Sequence, residues 1–318
     1  MTKLKKIPLI LSILSLLTFI SPLKAEIKVV ASIKPIHSLA SYLMDGVNKP
    51  GLIVDGYASP HGFALKPSHA KMLQEADLVF WVGEDLENFL EKPLGSIAKK
   101  AEKIELLEIK GLTKLKFRER NIFDGHDDHG HKEEDHDDHG HDEHGHEGHA
   151  HGEFDPHIWL DPMNAKVILK EMAEHMIEKD QKNASIYKSN LKKGLKDLDK
   201  LTSDVKSDLN KDFKSIVFHD AYQYFEKRFD VNVLGAFTVN TDVLPGAEQL
   251  SEIREIIEHD KVSCIFSEPQ FNPDIIKAVA KDTNVATGVI DPLGATLNPG
   301  KDLYFDLISN MSKSFKSC

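Results

Sequence analysis

From Asp124 to His149 the chain carries no aliphatic side chain, so this stretch cannot join a hydrophobic core and the fold must be built from the sequence on either side of it. Extended to Asp155, the stretch sets 13 carboxylates against one cation, Lys132, for a formal charge of −12. Ten of the 17 histidines are interleaved with them: His126, His129, His131, His136, His139, His141, His144, His146, His149 and His151. Imidazole is a borderline-soft ligand that suits zinc, copper or nickel, and the repeated His-Xaa-Xaa-His-Gly-His unit offers chelating pairs. Carboxylates alone would solubilise a linker; here they also attract divalent cations before any bond forms. The segment is expected to be disordered without metal and to bind weakly, with variable stoichiometry. One ion in one geometry needs a site in the folded remainder.

The N-terminus places that remainder. Lys3, Lys5 and Lys6 precede an apolar run from Ile7 to Ile20, and Leu23-Lys24-Ala25 offers a cleavage point after Ala25. The run is about 14 residues and a spanning helix needs about 20, so residues 1–25 read as a secretory signal rather than an anchor. The only cysteines are Cys264 and Cys318, so none stands near the cleavage point to take a lipid. The expected location is the periplasm. Removing the four lysines of residues 1–25 moves the formal charge from −11 to −15, nearly all of it in the His-rich stretch. A nearly neutral body argues against nucleic acid. In an oxidising compartment the two cysteines point to a disulfide, with a pair of buried thiols as the alternative; a bridge between them would stabilise by roughly 4 kcal/mol.

Strand-like and helical patterns alternate on both sides of the stretch. Strands are expected at Ile27–Ser32, Leu52–Val54, Asp77–Val82 and Glu105–Leu107, with helices at Ile36–Met44, Pro67–Glu75 and Leu86–Lys99 between them. After a helix from Asp161-Pro162 to about Lys179, residues 184–209 show Tyr187, Leu191, Leu195, Leu198, Leu201 and Val205 at helical spacing, a helix about 39 Å long. The alternation then restarts, with strands at Ser215–Phe218, Val231–Phe237, Val262–Ser267 and Ala286–Ile290. The fold class is α/β: two Rossmann-like lobes with mostly parallel sheets, joined by one long rigid helix, with a metal cleft between them. The expected divisions are a first lobe over 26–183 containing the loop 124–155, a linking helix over 184–209 and a second lobe over 210–318.

Ligands of open parallel sheets bind beyond the carboxyl ends of the strands. Four residues stand there: His61, His157, His219 and Asp291. Three imidazoles and one carboxylate would make a tetrahedral zinc set. His37, His69, His175 and His259 lie on helices or their starts and read as surface or capping residues. Glu268, at a strand end, is a candidate to brace a ligand histidine.

Six motifs carry a resemblance: Ser59-Pro60-His61 with Leu65–Ser68, Ala76–Gly83, Asp155–Pro162, Phe218–Tyr222, Ser267–Phe271 and Asp291–Gly294. Together they resemble the ZnuA-like family of periplasmic zinc-binding receptors of high-affinity zinc ABC transporters, the cluster A-I metal receptors (solute-binding protein family 9). The resemblance covers essentially the whole mature chain. It implies a buried Zn2+ between two α/β lobes, held by His61, His157 and His219, with an inner-membrane ABC permease as partner, a monomeric receptor and a periplasmic metal-transfer protein as a further partner. It also implies the acidic His-rich loop as an auxiliary weak site and the Cys264–Cys318 pair in the second lobe. Manganese-binding relatives carry Glu where His219 stands. Some zinc relatives carry an acidic residue where Pro60 stands, so the fourth place falls to Asp291 or water.

Other readings are a manganese or other divalent-metal receptor, a His-rich metal buffer or adhesin, and a zinc hydrolase. The last would need an open coordination place beside a general base, and no His-Glu-Xaa-Xaa-His is present. The chain is therefore expected not to be an enzyme.

Overall fold

A computed structural model describes residues 26–123, 152–209, 212–241 and 243–318. The expected signal segment, 1–25, and the ten histidines of the acidic stretch lie outside the described residues. No described helix is long and apolar enough to cross a membrane.

The first lobe is built from β1 (Val29–Ile33), α1 (Lys34–Leu43), β2 (Gly51–Val54), α2 (Pro67–Glu75), β3 (Leu78–Trp81), α3 (Glu84–Ser96) and β4 (Glu102–Glu105). All strand pairs are parallel, in the order β2-β1-β3-β4. β1 and β3 are buried along their whole length, which is why they read as unbroken apolar runs: helices cover both faces of a parallel sheet. Proline at the first helical turn opens α2, and again α4 (Pro162–Lys179), where Asp161 accepts the backbone N–H of Met163.

The second lobe repeats the plan with β5 (Lys214–His219), α6 (Gln223–Phe229), β6 (Asn232–Thr238), α7 (Ala247–His259), β7 (Cys264–Ser267), α8 (Asp274–Thr283), β8 (Ala286–Val289) and α9 (Leu303–Ser317). Its order is β6-β5-β7-β8, again parallel throughout. Between the lobes runs α5 (Ala184–Asp208), which packs against α4, α1 and α9. Its apolar stripe of Tyr187, Leu198, Leu201 and Val205 is buried. Gly194 sits where a Cβ would lie 2.7 Å from Leu169 and 3.1 Å from the Tyr42 ring, so the close approach of α5 to its neighbours depends on the missing side chain. Cys318, at the end of α9, is bonded to Cys264 on β7.

Two features depart from expectation. The last strand of the first lobe is Glu102–Glu105 rather than 105–107; Leu106–Glu108 form a 3-10 turn. Only Ile104 of Glu-Lys-Ile-Glu is buried, so this edge strand lacks the apolar run that marks its neighbours. The second departure is a crossing strap before the acidic stretch. Lys116 bridges Phe154, and Ile122 bridges Gly235 on β6. The chain thus reaches the second lobe by residue 123 and is back against the first at Gly152, whose N–H meets Asp85. The 184–209 helix is therefore not the only crossing between lobes.

Candidate metal centre

His219 is the last residue of β5, the strand with β6 on one side and β7 on the other. That is the point where strand order reverses and a crevice opens. His61 follows β2 on a loop whose turn is closed by the Ser59 hydroxyl accepting the His61 N–H. His157 leads into the 3-10 turn Ile158–Leu160 and then α4. The Asp155-Pro156-His157 turn is tied locally: Asp155 Oδ1 accepts both the backbone N–H of His157 (2.9 Å) and its Nδ1–H (2.7 Å).

The structure brings these three histidines together, each offering a ligand atom within 4.8 Å of the others. His157 and His219 are buried and His61 is partly exposed. Around them close Pro60, Trp159, Phe271, Pro292 and Leu293, leaving a cavity of about 10 Å³, room for one water-sized guest. A small ion fits such a space; an organic substrate does not.

Each buried histidine is oriented by a buried carboxylate. Asp155 holds Nδ1 of His157, and Glu268 Oε1 holds Nδ1 of His219 at 2.7 Å. With both Nδ1 atoms donating, both Nε2 atoms turn inward, and they face one another at 3.4 Å. Two lone pairs at that distance repel unless a cation or proton lies between them. Burial drives His157 well below its usual titration range. Burial pulls the same way at His219, but the Glu268 carboxylate outweighs it and leaves that ring more basic than usual. Burial also lifts Asp155 to about 7 against the opposing His157 N–H. A proton on Nε2 of His219 would occupy the place where a metal ion would bind, so protons and metal compete for that ring.

Asp291 lies outside the three-histidine group. Its Oδ1 accepts the N–H groups of Leu293 and Gly294 and the side-chain amide of Gln270, which ties that oxygen to its own loop and to the segment between β7 and α8. His37 is buried, with Nε2 against the carbonyl of Pro50, and His69 Nδ1 accepts the Lys66 N–H at the start of α2. His175 pairs with Glu102 and Glu171, away from the cleft. His259 is exposed and stands beside Asp260.

Sequence reasoning missed Asp155 as a brace, although a carboxylate two residues before a ligand histidine is a readable signal. It also missed Arg118 on the strap. That guanidinium reaches Asp220 Oδ1 at 2.8 Å and Glu226 Oε2 at 2.6 Å, fixing the turn after His219. Trp159 Nε1–H donates to the Pro292 carbonyl, and Tyr304 Oη–H to the Trp159 carbonyl, so the segment carrying His157 is bonded to the second lobe.

Two parallel α/β lobes meeting at a histidine-lined crevice define a two-lobed solute-binding protein. The chain belongs to the ZnuA family, since the family model described as zinc-uptake complex component A, periplasmic, matches residues 29–318. It is 46% identical over 304 residues to the high-affinity zinc uptake system protein ZnuA of Brucella abortus, covering 91% of each chain. Among solved structures, a crystal structure of ZnuA superposes with a TM-score of 0.72 at 20% identity, over 92% of this chain and 100% of that one. FpvC from Pseudomonas aeruginosa in complex with Mn2+ superposes with 0.73 at 18% identity, over 92% and 98%. A fold found in both does not choose the metal, which leaves that question to the donor set.

Proposed function

We propose that this chain is a periplasmic zinc receptor that captures Zn2+ in the crevice with His61, His157 and His219 and delivers it to an inner-membrane ABC permease. The observation carrying this reading is the pair of inward-facing Nε2 atoms 3.4 Å apart, each ring aligned by a carboxylate at 2.7 Å. Carboxylate–histidine pairs of this kind fix the tautomer and raise ligand basicity. A neutral three-imidazole donor set favours zinc over the harder manganese ion. Asp291 stands outside the three-histidine group with its Oδ1 held by its own loop, and water takes the fourth place in this reading.

In this reading residues 1–25 are cleaved and leave a soluble monomer without a lipid. The lobes span 26–183 and 210–318, joined by the helix 184–209. The acidic stretch supplies weaker auxiliary sites, and the receptor's partners are the permease and a periplasmic metal-transfer protein. Sequence similarity to zinc uptake proteins supports the cargo, and the cavity of about 10 Å³ that the described residues leave at the histidines fits capture of a small ion.

Titration of the mature protein against a competing chelator tests this. Deleting residues 124–152 is expected to remove the weaker ions and leave one tight site per chain. Loss of the tightest phase on deletion would overturn the assignment.

A further inference from the structure

Glu268 holds His219 with one oxygen only. Its Oε1 accepts the His219 Nδ1–H at 2.7 Å and lies 3.4 Å from the backbone N–H of the same residue, whereas Oε2 is buried without a hydrogen bond. The Glu268 side chain is fully buried, and a carboxylate oxygen taken out of water needs a donor.

One donor stands beside it. Tyr222 follows His219 by three residues, at the start of α6, and its ring is fully buried with its centroid 6.3 Å from that of His219. Its Oη is likewise buried without a hydrogen bond. Of the other unbonded buried atoms near it, Glu268 Oε2, Gln270 Oε1 and Asp291 Oδ2 can only accept, so the phenol is the group with a proton to give. Burial acts most strongly on Tyr222, and Glu268 acts next, by its charge and as an acceptor for the hydroxyl; Asp291 acts by charge alone. These influences hold the phenol well above its usual titration range, so it keeps its proton at neutral pH. The two groups are close enough to interact and stand outside ordinary hydrogen-bond geometry. The ring has its own anchor, edge-on against Phe315 of α9 at 6.4 Å, a contact that phenylalanine would keep.

We propose that Tyr222 is a positioning residue for the metal centre: its hydroxyl donates to Glu268 Oε2, so that the carboxylate bracing His219 is held at both oxygens. This rests on the three-histidine reading above and adds to it a group that does not itself touch the ion. The terminal torsion of a glutamate is broad, so a carboxylate held at one oxygen can turn about its last bond and carry the imidazole with it. A second donor fixes its plane, and with it the direction of His219 Nε2. Asp155 differs, because its Oδ1 accepts the His157 backbone N–H at 2.9 Å as well as the ring, and its own turn holds it. His157 therefore serves as the internal control.

Tyr222→Phe removes the donor and keeps the ring. In the whole mature chain, a chelator strong enough to strip the weaker ions reads the tightest site alone. Tyr222→Phe should weaken that site about tenfold, the lower end of what the outer partners of a ligand contribute. Added to Glu268→Gln, it should cost no more than about twofold further, since the two residues act as one unit. In the zinc-bound protein the proton resonance of His219 Nδ1–H should move in Tyr222→Phe and that of His157 should stay, a distinction that general loosening of the fold would erase.

Parent-like affinity or an unmoved His219 resonance in Tyr222→Phe would overturn the proposal. A tenfold loss repeated in the Glu268→Gln background would also overturn it, by showing that the residue acts through packing. Should Tyr222→Phe not fold, protein labelled at the tyrosine ζ-carbons decides: one of the six tyrosines should shift on Glu268→Gln, and six unmoved resonances would count against the bond. Zinc affinity indifferent to His219→Ala would instead sink the three-histidine reading, a separate outcome.

Discussion

Asp155 and Glu268 touch no ion in this reading, yet they decide what the histidines can do. A neutral imidazole has two tautomers, and only the one protonated at Nδ1 presents Nε2 as a donor; a carboxylate at 2.7 Å selects that tautomer in both His157 and His219. Glu268→Gln replaces the charge by an amide that can accept the same N–H but no longer polarises the ring. It is expected to weaken zinc binding by about 10–100-fold, measured by chelator competition. Asp155→Asn should behave alike, with the further loss of local order expected from an acceptor that also holds the His157 backbone N–H. Unchanged affinity in both would mean that crevice shape, rather than oriented and polarised imidazoles, supplies the binding energy.

At the scale of single elements, α3 shows a different use of a buried carboxylate. Glu87 interrupts the helix with non-helical angles (φ −124°, ψ 46°), and its Oε2 accepts the N–H groups of Val82 and Gly83 at the end of β3. Burial pushes its titration up to about 7 from 4.5. A carboxyl raised on folding contributes stability that is fully present below its unfolded value near 4.5 and is lost as pH climbs through about 7. The loss amounts to about 3 kcal/mol. Glu87→Gln keeps an acceptor for both N–H groups and cannot ionise. The variant should therefore gain stability over the parent between pH 5 and 8, and a difference in denaturation midpoint that stays flat with pH would refute the shift.

Elements of this kind mark the limit of what the chain discloses before folding. The helix from Pro67 to Glu75 was legible to the residue, because proline opens it and the Ala76–Gly83 run closes it. The strand end that presents His219 was equally plain, as was the long stripe of α5. The strap from 115 to 123 was not. Its pairing depends on Gly235 of β6, where a Cβ would lie 2.6 Å from the Asn121 carbonyl, and no local pattern announces a partner 113 residues away. Lys34 and Arg118 were invisible for the same reason, since a buried cation reads as a surface one until its carbonyls or carboxylates arrive from another lobe.

For the molecule as a whole, the three histidines divide between the halves of the chain: His61 and His157 precede α5, and His219 follows it. Unfolding either lobe destroys the donor set, so an ion bound there stabilises both together. A ligand that binds only the folded state adds about 4 kcal/mol when its free concentration is a thousand times the dissociation constant. For a protein of this size that corresponds to a rise in Tm on the order of 10 °C. The acidic stretch would blunt the effect, because its histidines can bind metal in the unfolded chain as well. The measurement therefore belongs in protein lacking residues 124–152. There zinc should raise Tm strongly in the parent and in His175→Ala, whose ring pairs with Glu102 and Glu171 away from the crevice. In His219→Ala the rise should nearly vanish, since two imidazoles from one half of the chain no longer couple the ion to the other. A parent-like rise in His219→Ala would remove that residue from the site and with it the link between zinc and the closed pairing of the lobes.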